Sequence, residues 1–170
     1  FLRACNLGAT FFASRWRSGF PFKQRRSCGC CSSLLLLQIC FRNAVTALAR
    51  VFRTVVMSDP TSAPGKVAHA MRSHPEMVGG PARDVTLLMQ GVPGLLGKDG
   101  AEGVFAVALP DGRAVALKIA DGANRARPPM MKAALEALGI DTSRVDPKAF
   151  DSTIYGHGKP VGNVRITASL

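Results

Sequence analysis

Residues 103–119 read GVFAVALPDGRAVALKI, and this stretch decides the fold class. It contains two apolar runs with strand character, residues 103–109 and 113–119. Pro110-Asp111-Gly112 stands between them, and an Asp-Gly pair accommodates the positive φ values that tight hairpin turns need. The stretch therefore predicts two antiparallel strands joined by a hairpin turn.

Helical patterns flank this hairpin. Upstream, residues 42–57 predict an amphipathic helix, because apolar residues recur at three- and four-residue spacing. These are Val45, Leu48, Val51 or Phe52, and Val55. Residues 58–65 are expected to form a loop rich in Ser, Thr and Pro, whose Ser, Asp and Thr side-chain oxygens can cap the helix that follows.

Three further elements complete the expected fold. Asp84 is expected to cap a short helix over residues 85–90, and Gly139 to close a helix that runs through residues 130–138. A polar linker over residues 141–158 precedes a last strand, predicted at residues 161–168. Antiparallel strands packed by helices make an α+β fold and not a doubly wound one.

Charge divides the chain into two unequal parts. Residues 1–57 hold nine Lys or Arg and no acidic residue, whereas residues 58–170 hold thirteen basic and eleven acidic residues. All five cysteines precede residue 41: Cys5, Cys28, Cys30, Cys31 and Cys40. The net charge of +11 is thus mostly a property of the first third, and nothing in the remainder calls for disulfides.

Three explanations compete for the basic first stretch. An Arg-rich, acid-free composition is typical of targeting segments, although the chain begins at Phe1. Arginines interleaved with Trp16 and Phe20 also suit a nucleic-acid-binding arm. The third explanation, which we favour, is that residues 1–41 are a non-native, frameshifted or disordered segment. Their run from Leu34 to Leu37 is too short for a membrane span, which needs roughly 20 apolar residues.

Several short segments carry a family resemblance. They are HPEMVGG at residues 74–80, RD at 83–84, GKDGAEGV at 97–104, LPDGR at 109–113, VALK at 115–118, DG at 121–122, RAR at 125–127 and PVG at 160–162. In order and spacing they resemble the bacterial type II, or rhizobial-type, L-asparaginase family. The likeness extends back over the helix that starts at Arg42, so it covers about residues 42–170.

This resemblance implies a fold, an activity and a setting. Members of that family resemble serine β-lactamases and penicillin-binding proteins in fold, and they hydrolyse L-asparagine to L-aspartate and ammonia. The resemblance therefore implies a partial fold of that kind and an amidohydrolase of the bacterial cytoplasm. It implies a small-molecule substrate, with no nucleic acid or membrane as partner. The resemblance also allows a zinc ion and a homodimer in the intact family member.

The sequence departs from the family pattern in its nucleophile and metal-binding segments. The family uses a Ser-x-x-Lys pair, a Cys-Ser-Gly-Lys segment and an Asp-Gly-Cys segment, and none of the three occurs here. Gly29-Cys30 is the nearest approach to Asp-Gly-Cys, which suggests a frameshift between about residues 28 and 41. If no upstream reading frame of the coding DNA spells Asp-Gly-Cys, that hypothesis fails. We expect a C-terminal fragment without its nucleophile; the alternative is a non-catalytic amino-acid-binding or remnant domain.

The remaining site prediction rests on GKDGAEGV. In β-lactamase-like folds a Lys-Thr/Ser-Gly element on an edge strand faces the catalytic serine, so the resemblance assigns Lys98 a catalytic and substrate-binding role. Gly100 would let the strand backbone approach a ligand closely. Glu102 would pair with Lys98 or receive the substrate α-ammonium, and a solvated Lys–Glu pair at a turn is the alternative.

The histidines point to structure and not to chemistry. His74, before a proline, is expected to satisfy carbonyls at a helix end, and His69 and His157 are expected at the surface. No histidine pair has metal-ligand spacing, so we expect no metal site in residues 58–170.

Overall fold

The computed structural model describes the backbone of residues 9–14 and 33–167, and the side chains of residues 44–167. In chain order the elements are β1 (Ala9–Ser14), α1 (Ser33–Met57), α2 (Ala63–Ser73), α3 (Pro75–Gly79), α4 (Asp84–Gly91), β2 (Leu96–Asp99), β3 (Val104–Ala108), β4 (Ala114–Ile119), α5 (Arg127–Ala137), β5 (Thr153–Gly156) and β6 (Lys159–Asn163). Short 3-10 turns lie at Asn124–Ala126 and Pro147–Phe150.

Four strands form the main sheet in the order β1-β4-β3-β2, with every neighbouring pair antiparallel. Helices cover both of its faces: α1 and α2 pack on one face, and α4 and α5 on the other. The architecture is therefore α+β, as the sequence predicts. Strand β2 lies at one edge of the sheet.

The central hairpin confirms the prediction made from residues 103–119. Its strands β3 and β4 pair antiparallel, and the turn closes with hydrogen bonds from Gly112 N to Leu109 O (3.0 Å) and from Leu109 N to Arg113 O (2.9 Å). Gly112 has φ +83°, a left-handed conformation that glycine adopts without steric cost.

Alternation along this hairpin separates two cores. Large side chains face α4 and α5, and alanines face α1 and α2. The large set includes Phe105, Val107, Val115 and Leu117, and the small set Ala106, Ala108, Ala114 and Ala116. Small residues let α1 approach the sheet closely, while burial of each large side chain stabilises the fold by about 1.5–3 kcal/mol.

Helix α1 differs from its predicted form at its start. It begins at Ser33, nine residues before Arg42, so it includes the leucine run that shows no apolar periodicity. Phe52 is half-buried and Val51 is 56% exposed, so Phe52 occupies the inward position of the stripe. Helix propagation costs little once a nucleus exists, which allows a helix to extend beyond its amphipathic part.

Two elements thus begin before residue 42: β1, which pairs with β4, and the first part of α1. Residues 1–8 and 15–32, which contain Cys5, Cys28, Cys30 and Cys31, lie outside the described residues. The interpretation of residues 1–41 as non-native stays a prediction.

The ends of the other helices follow local chemistry. Ser62 caps α2, because its hydroxyl accepts a hydrogen bond from Gly65 N at 3.2 Å. Arg83, and not Asp84, is the N-cap of α4; Asp84 is the first helical residue, and its Oδ1 accepts from Val85 N. Gly139, with φ +67°, follows the end of α5 as predicted.

The C-terminal prediction was wrong in two respects. The region expected to be a linker contains the 3-10 turn Pro147–Phe150 and strand β5, and the last strand, β6, ends at Asn163 instead of Ala168. Strands β5 and β6 form a separate two-stranded sheet. The alternation of Val164 and Ile166 reflects extended chain half-buried against the core, where Ile166 packs.

Across the described residues, no helix has the length and apolar character that a membrane crossing requires.

Candidate functional site

Lys98 lies on edge strand β2, opposite Ala106 of β3. Successive side chains on a strand point to opposite faces, so Lys98 starts on the face covered by α1 and α2, and Asp99 on the other face. The long lysine side chain nevertheless curls back toward its neighbour. Its Nζ donates to the Asp99 carbonyl oxygen at 2.8 Å and to Asp99 Oδ1 at 2.7 Å. The side chain is 46% exposed, so the ammonium lies at the border between sheet and solvent.

Asp99 is the buried centre of this cluster. Its side chain is 5% exposed and forms ion pairs with Lys98, Arg83 and Arg127. Burial alone would raise the pKa of the Asp99 carboxyl, but the hydrogen bond from Lys98 and the positive charges of Lys98 and Arg83 outweigh it. The pKa therefore lies below its ordinary value, and Asp99 is a carboxylate at neutral pH.

Arg127, at the start of α5, joins Asp99 to a second carboxylate. Its Nε and Nη2 lie 3.1 and 2.8 Å from Asp84 Oδ2, and its Nη1 lies 3.5 Å from Asp99 Oδ2. The guanidinium also stacks 5.4 Å from the centre of the Phe105 ring. With a side chain only 5% exposed, Arg127 ties α4, α5 and β2 together beneath the site.

Arg83 reaches the same carboxylate from the loop before α4. Its Nη2 contacts Asp99 Oδ2, and its side chain stays 52% exposed. Buried Thr86 orders this loop, because its hydroxyl donates to Gly80 O at 2.7 Å and lies 3.2 Å from Pro75 O. Arg83 is therefore held at the surface by a structured turn.

Gly100 and Glu102 lie in the turn between β2 and β3. The exposed Gly100 donates its N–H to Val104 O at 2.9 Å. Glu102 has φ +57°, and its carboxylate occupies the space where a Cβ on Gly122 would stand. Its backbone carbonyl accepts from the ammonium of Lys118. Within the part of the chain that the structure describes, Lys98 therefore pairs with Asp99 and not with Glu102.

The three histidines lie at the surface. The His74 backbone N–H donates to Ala70 O, while its ring is 68% exposed and faces Glu76 Oε1 at 3.6 Å. Its side chain thus does not take the expected role at helix-terminal carbonyls. His69 and His157 are exposed, as predicted.

Zinc, which the resemblance allows, has no fitting set of ligands in the described region. Residues 44–167 contain no cysteine, and no three His, Asp or Glu side chains among the described residues lie close enough to hold a metal ion. We therefore assign no step of the chemistry to a metal.

The sequence prediction names Lys98 as a candidate but not the residues that surround it in the structure: Arg83, Asp84, Asp99 and Arg127. One signal was available. Strand alternation places Asp99 on the same face as Phe105 and Leu117, and a carboxylate on a buried face requires cationic partners. Which cations supply them depends on contacts 16 and 28 residues away in the chain.

Comparison with known proteins places this arrangement in a family. A family model described as L-asparaginase II matches residues 37–166, more than half of the chain. No curated protein matches the sequence. The family match includes strand β2 with Lys98 and Asp99, α4 and the start of α5, so the whole charged cluster lies within it. The chain belongs to the L-asparaginase II family.

Proposed function

We propose that this chain carries the substrate-holding part of an L-asparagine amidohydrolase site, in which Lys98 has the catalytic role and Gly100 and Glu102 contribute to substrate binding. Family membership supports amide hydrolysis as the general activity. The single observation that carries the proposal is the position of Lys98: a half-exposed ammonium on the open edge strand of an antiparallel sheet.

The chemistry explains why an ammonium is useful at this position. Hydrolysis of the side-chain amide of asparagine adds a nucleophile to the amide carbon, and negative charge develops on its oxygen before ammonia leaves. A positioned cation stabilises that charge, or holds the substrate carboxylate, because both are anionic. Lys98 has one N–H beyond the two that contact Asp99, and that donor is available for either task.

The proposed site does not include a nucleophile from this chain. The sequence contains no Ser-x-x-Lys pair, so we assign the nucleophilic step to no residue of this chain. We propose that the chain by itself lacks the nucleophile. The fold supports a relation to β-lactamase-like enzymes in one respect: an antiparallel sheet covered by helices on both faces carries a Lys-x-Gly segment at its edge. The bacterial source, the cytoplasmic location and the homodimer belong to the same proposal.

A second candidate is a domain of the same family that binds an amino acid without hydrolysing it. The closed pair between Lys98 and Asp99 favours it, because two of the three N–H donors of this ammonium already contact Asp99. The absence of Ser-x-x-Lys also favours it.

One experiment separates these candidates. The chain, its Lys98→Met variant and a Lys148→Met control would be tested for thermal stabilisation by L-asparagine and L-aspartate, and for ammonia release from L-asparagine. Stabilisation of the wild type and the control, but not of Lys98→Met, is expected because a ligand that binds only the folded state raises Tm. Both candidates predict no ammonia from this chain alone, so the dependence of stabilisation on Lys98 separates them: stabilisation that persists in Lys98→Met would contradict the proposed role of Lys98 and leave only the binding domain. Lys98-dependent ammonia release would contradict the proposal that the chain lacks its nucleophile. If neither ligand stabilises any form and no ammonia appears, both candidates are wrong.

A further inference from the structure

Arg83 and Lys98 share one buried counter-ion. Lys98 Nζ lies 2.7 Å from Asp99 Oδ1, and Arg83 Nη2 contacts Asp99 Oδ2. Because the two cations occupy opposite oxygens of one carboxylate, their nitrogens stand within about 8 Å of each other, two hydrogen-bond lengths plus the width of a carboxylate. That separation suits a single small anion held between them.

We propose that Arg83 and Lys98 form a carboxylate-binding pair, organised by buried Asp99, that holds the α-carboxylate of the amino-acid ligand. The inference rests on the proposed function, since it names the group of the ligand that this site recognises. It adds Arg83 as a residue that determines specificity.

Both cations keep donors on their exposed sides. A guanidinium has five N–H donors, and the contact of Arg83 with Asp99 is made through Nη2 of a side chain that is 52% exposed. Lys98 has three donors, of which two contact Asp99. A carboxylate on the solvent side of the cluster therefore meets donors from both residues, and the planar guanidinium suits a two-pronged contact.

The charges of the cluster favour an anion. Three cations, Arg83, Lys98 and Arg127, face two carboxylates, Asp84 and Asp99, which leaves one positive charge in excess. Arg127 is buried and engaged by both carboxylates, so the excess charge is presented at the half-exposed pair. One monovalent carboxylate neutralises it.

Arg83 is also held in place before any ligand binds. Gly80 has φ +91° at the end of α3, and buried Thr86 fixes the carbonyl of the same glycine. Arg83 O accepts the first helical hydrogen bond of α4, from Leu87 N at 3.0 Å. A residue ordered in this way loses little conformational entropy on binding.

The test compares four ligands by calorimetry on the full chain. Succinamate keeps the carboxylate and the amide of asparagine but lacks the ammonium, L-asparaginamide keeps the ammonium and the amide but has no carboxylate, and succinate lacks both amide and ammonium. We expect L-asparagine and succinamate to bind and L-asparaginamide to bind at least about tenfold more weakly, the ratio that corresponds to 1.4 kcal/mol.

Variants locate the effect. Arg83→Gln is expected to lower the affinity for succinamate and succinate by about tenfold or more, and Arg83→Lys to keep part of that affinity. The exposed control Arg144→Gln is expected to leave both affinities unchanged. Arg83→Gln should fold, because Asp99 keeps Lys98 and Arg127 as partners; an unchanged circular dichroism spectrum checks this.

The outcomes are distinct. Equal succinamate affinity in wild type and Arg83→Gln overturns the carboxylate-binding pair, as does equal affinity for L-asparagine and L-asparaginamide, and neither result removes the proposed function. Arg83-dependent binding of succinate without binding of L-asparagine supports the pair and contradicts the proposed function. No binding of any carboxylate at millimolar concentration overturns the pair.

Discussion

Asp84 and Arg127, 43 residues apart in the chain, form a two-pronged ion pair beneath the site, with Arg127 Nε and Nη2 at 3.1 and 2.8 Å from a single carboxylate oxygen. Both side chains are largely buried, at 10% and 5% exposure. The pair joins the first turn of α4 to the first turn of α5, and Asp84 is further favoured there by the positive end of its helix.

Replacement of Arg127 should therefore destabilise the fold strongly. Arg127→Met leaves Asp84 buried without its cation and is expected to lower the free energy of unfolding by about 3–5 kcal/mol. Urea denaturation measures this change. The control is Arg125→Met, whose partner Asp121 lies at the surface, and little change is expected there. A loss below about 1 kcal/mol in Arg127→Met would show that the pair does not hold the helices together.

Acid should weaken the fold partly through Asp99. Its pKa is lower in the folded state than in the unfolded state, so its stabilising contribution is complete above the unfolded value of about 3.9 and is lost as the pH falls through the folded value. The difference in unfolding free energy between wild type and Asp99→Asn should be constant near neutral pH and shrink in acid. Urea denaturation at several pH values measures it.

Asp111→Asn is the matched control for that experiment. Arg113 also lowers the pKa of Asp111, but the Asp111 side chain is 48% exposed. The change in unfolding free energy caused by Asp111→Asn should have the same sign as that of Asp99→Asn but be smaller. Added salt should reduce the Asp111 change, whereas the Asp99 change should persist. A difference for Asp99→Asn that grows in acid would contradict the assignment.

The buried hydroxyl of Thr86 should contribute measurably to the stability of the fold. Thr86→Val keeps the shape but leaves the carbonyls of Gly80 and Pro75 without this donor, at an expected cost of about 1–3 kcal/mol in unfolding free energy. Thr86→Ser keeps the hydroxyl and should cost less. A larger loss in Thr86→Ser than in Thr86→Val, measured by urea denaturation, would assign the role to the methyl group.

Two glycines should respond to alanine for different reasons. At Gly139 an added Cβ meets nothing within 4 Å, so Gly139→Ala should cost only the left-handed conformation, about 1–2 kcal/mol. At Gly65 the Cβ would overlap the backbone carbonyl group of Asp59, whose carbon would be 2.8 Å away. Gly65→Ala should therefore lower Tm further than Gly139→Ala, and the reverse order in a thermal melt would contradict this account.

Local sequence patterns predicted the elements that are determined by neighbouring residues in the chain. The Asp-Gly turn and the two apolar runs predicted the hairpin of β3 and β4, and Gly139 predicted the end of α5. The predictions failed where pairing or packing decides: β5 and β6 pair with each other, and α1 extends back to Ser33. The motif predicted Lys98 as a site residue, which stays a prediction, but it did not predict that Lys98 pairs with Asp99 in preference to Glu102.

The sequence by itself determined the family, the α+β class and the candidate lysine, because these follow from short segments whose order and alternation can be read directly. Only the tertiary structure decided the environment of that lysine. Arg83 and Arg127 come from separate elements, and they meet at Asp99 because α4 and α5 pack on the same face of the sheet. A carboxylate on a buried face demands counter-charges, and only the packing of the chain determines which residues provide them.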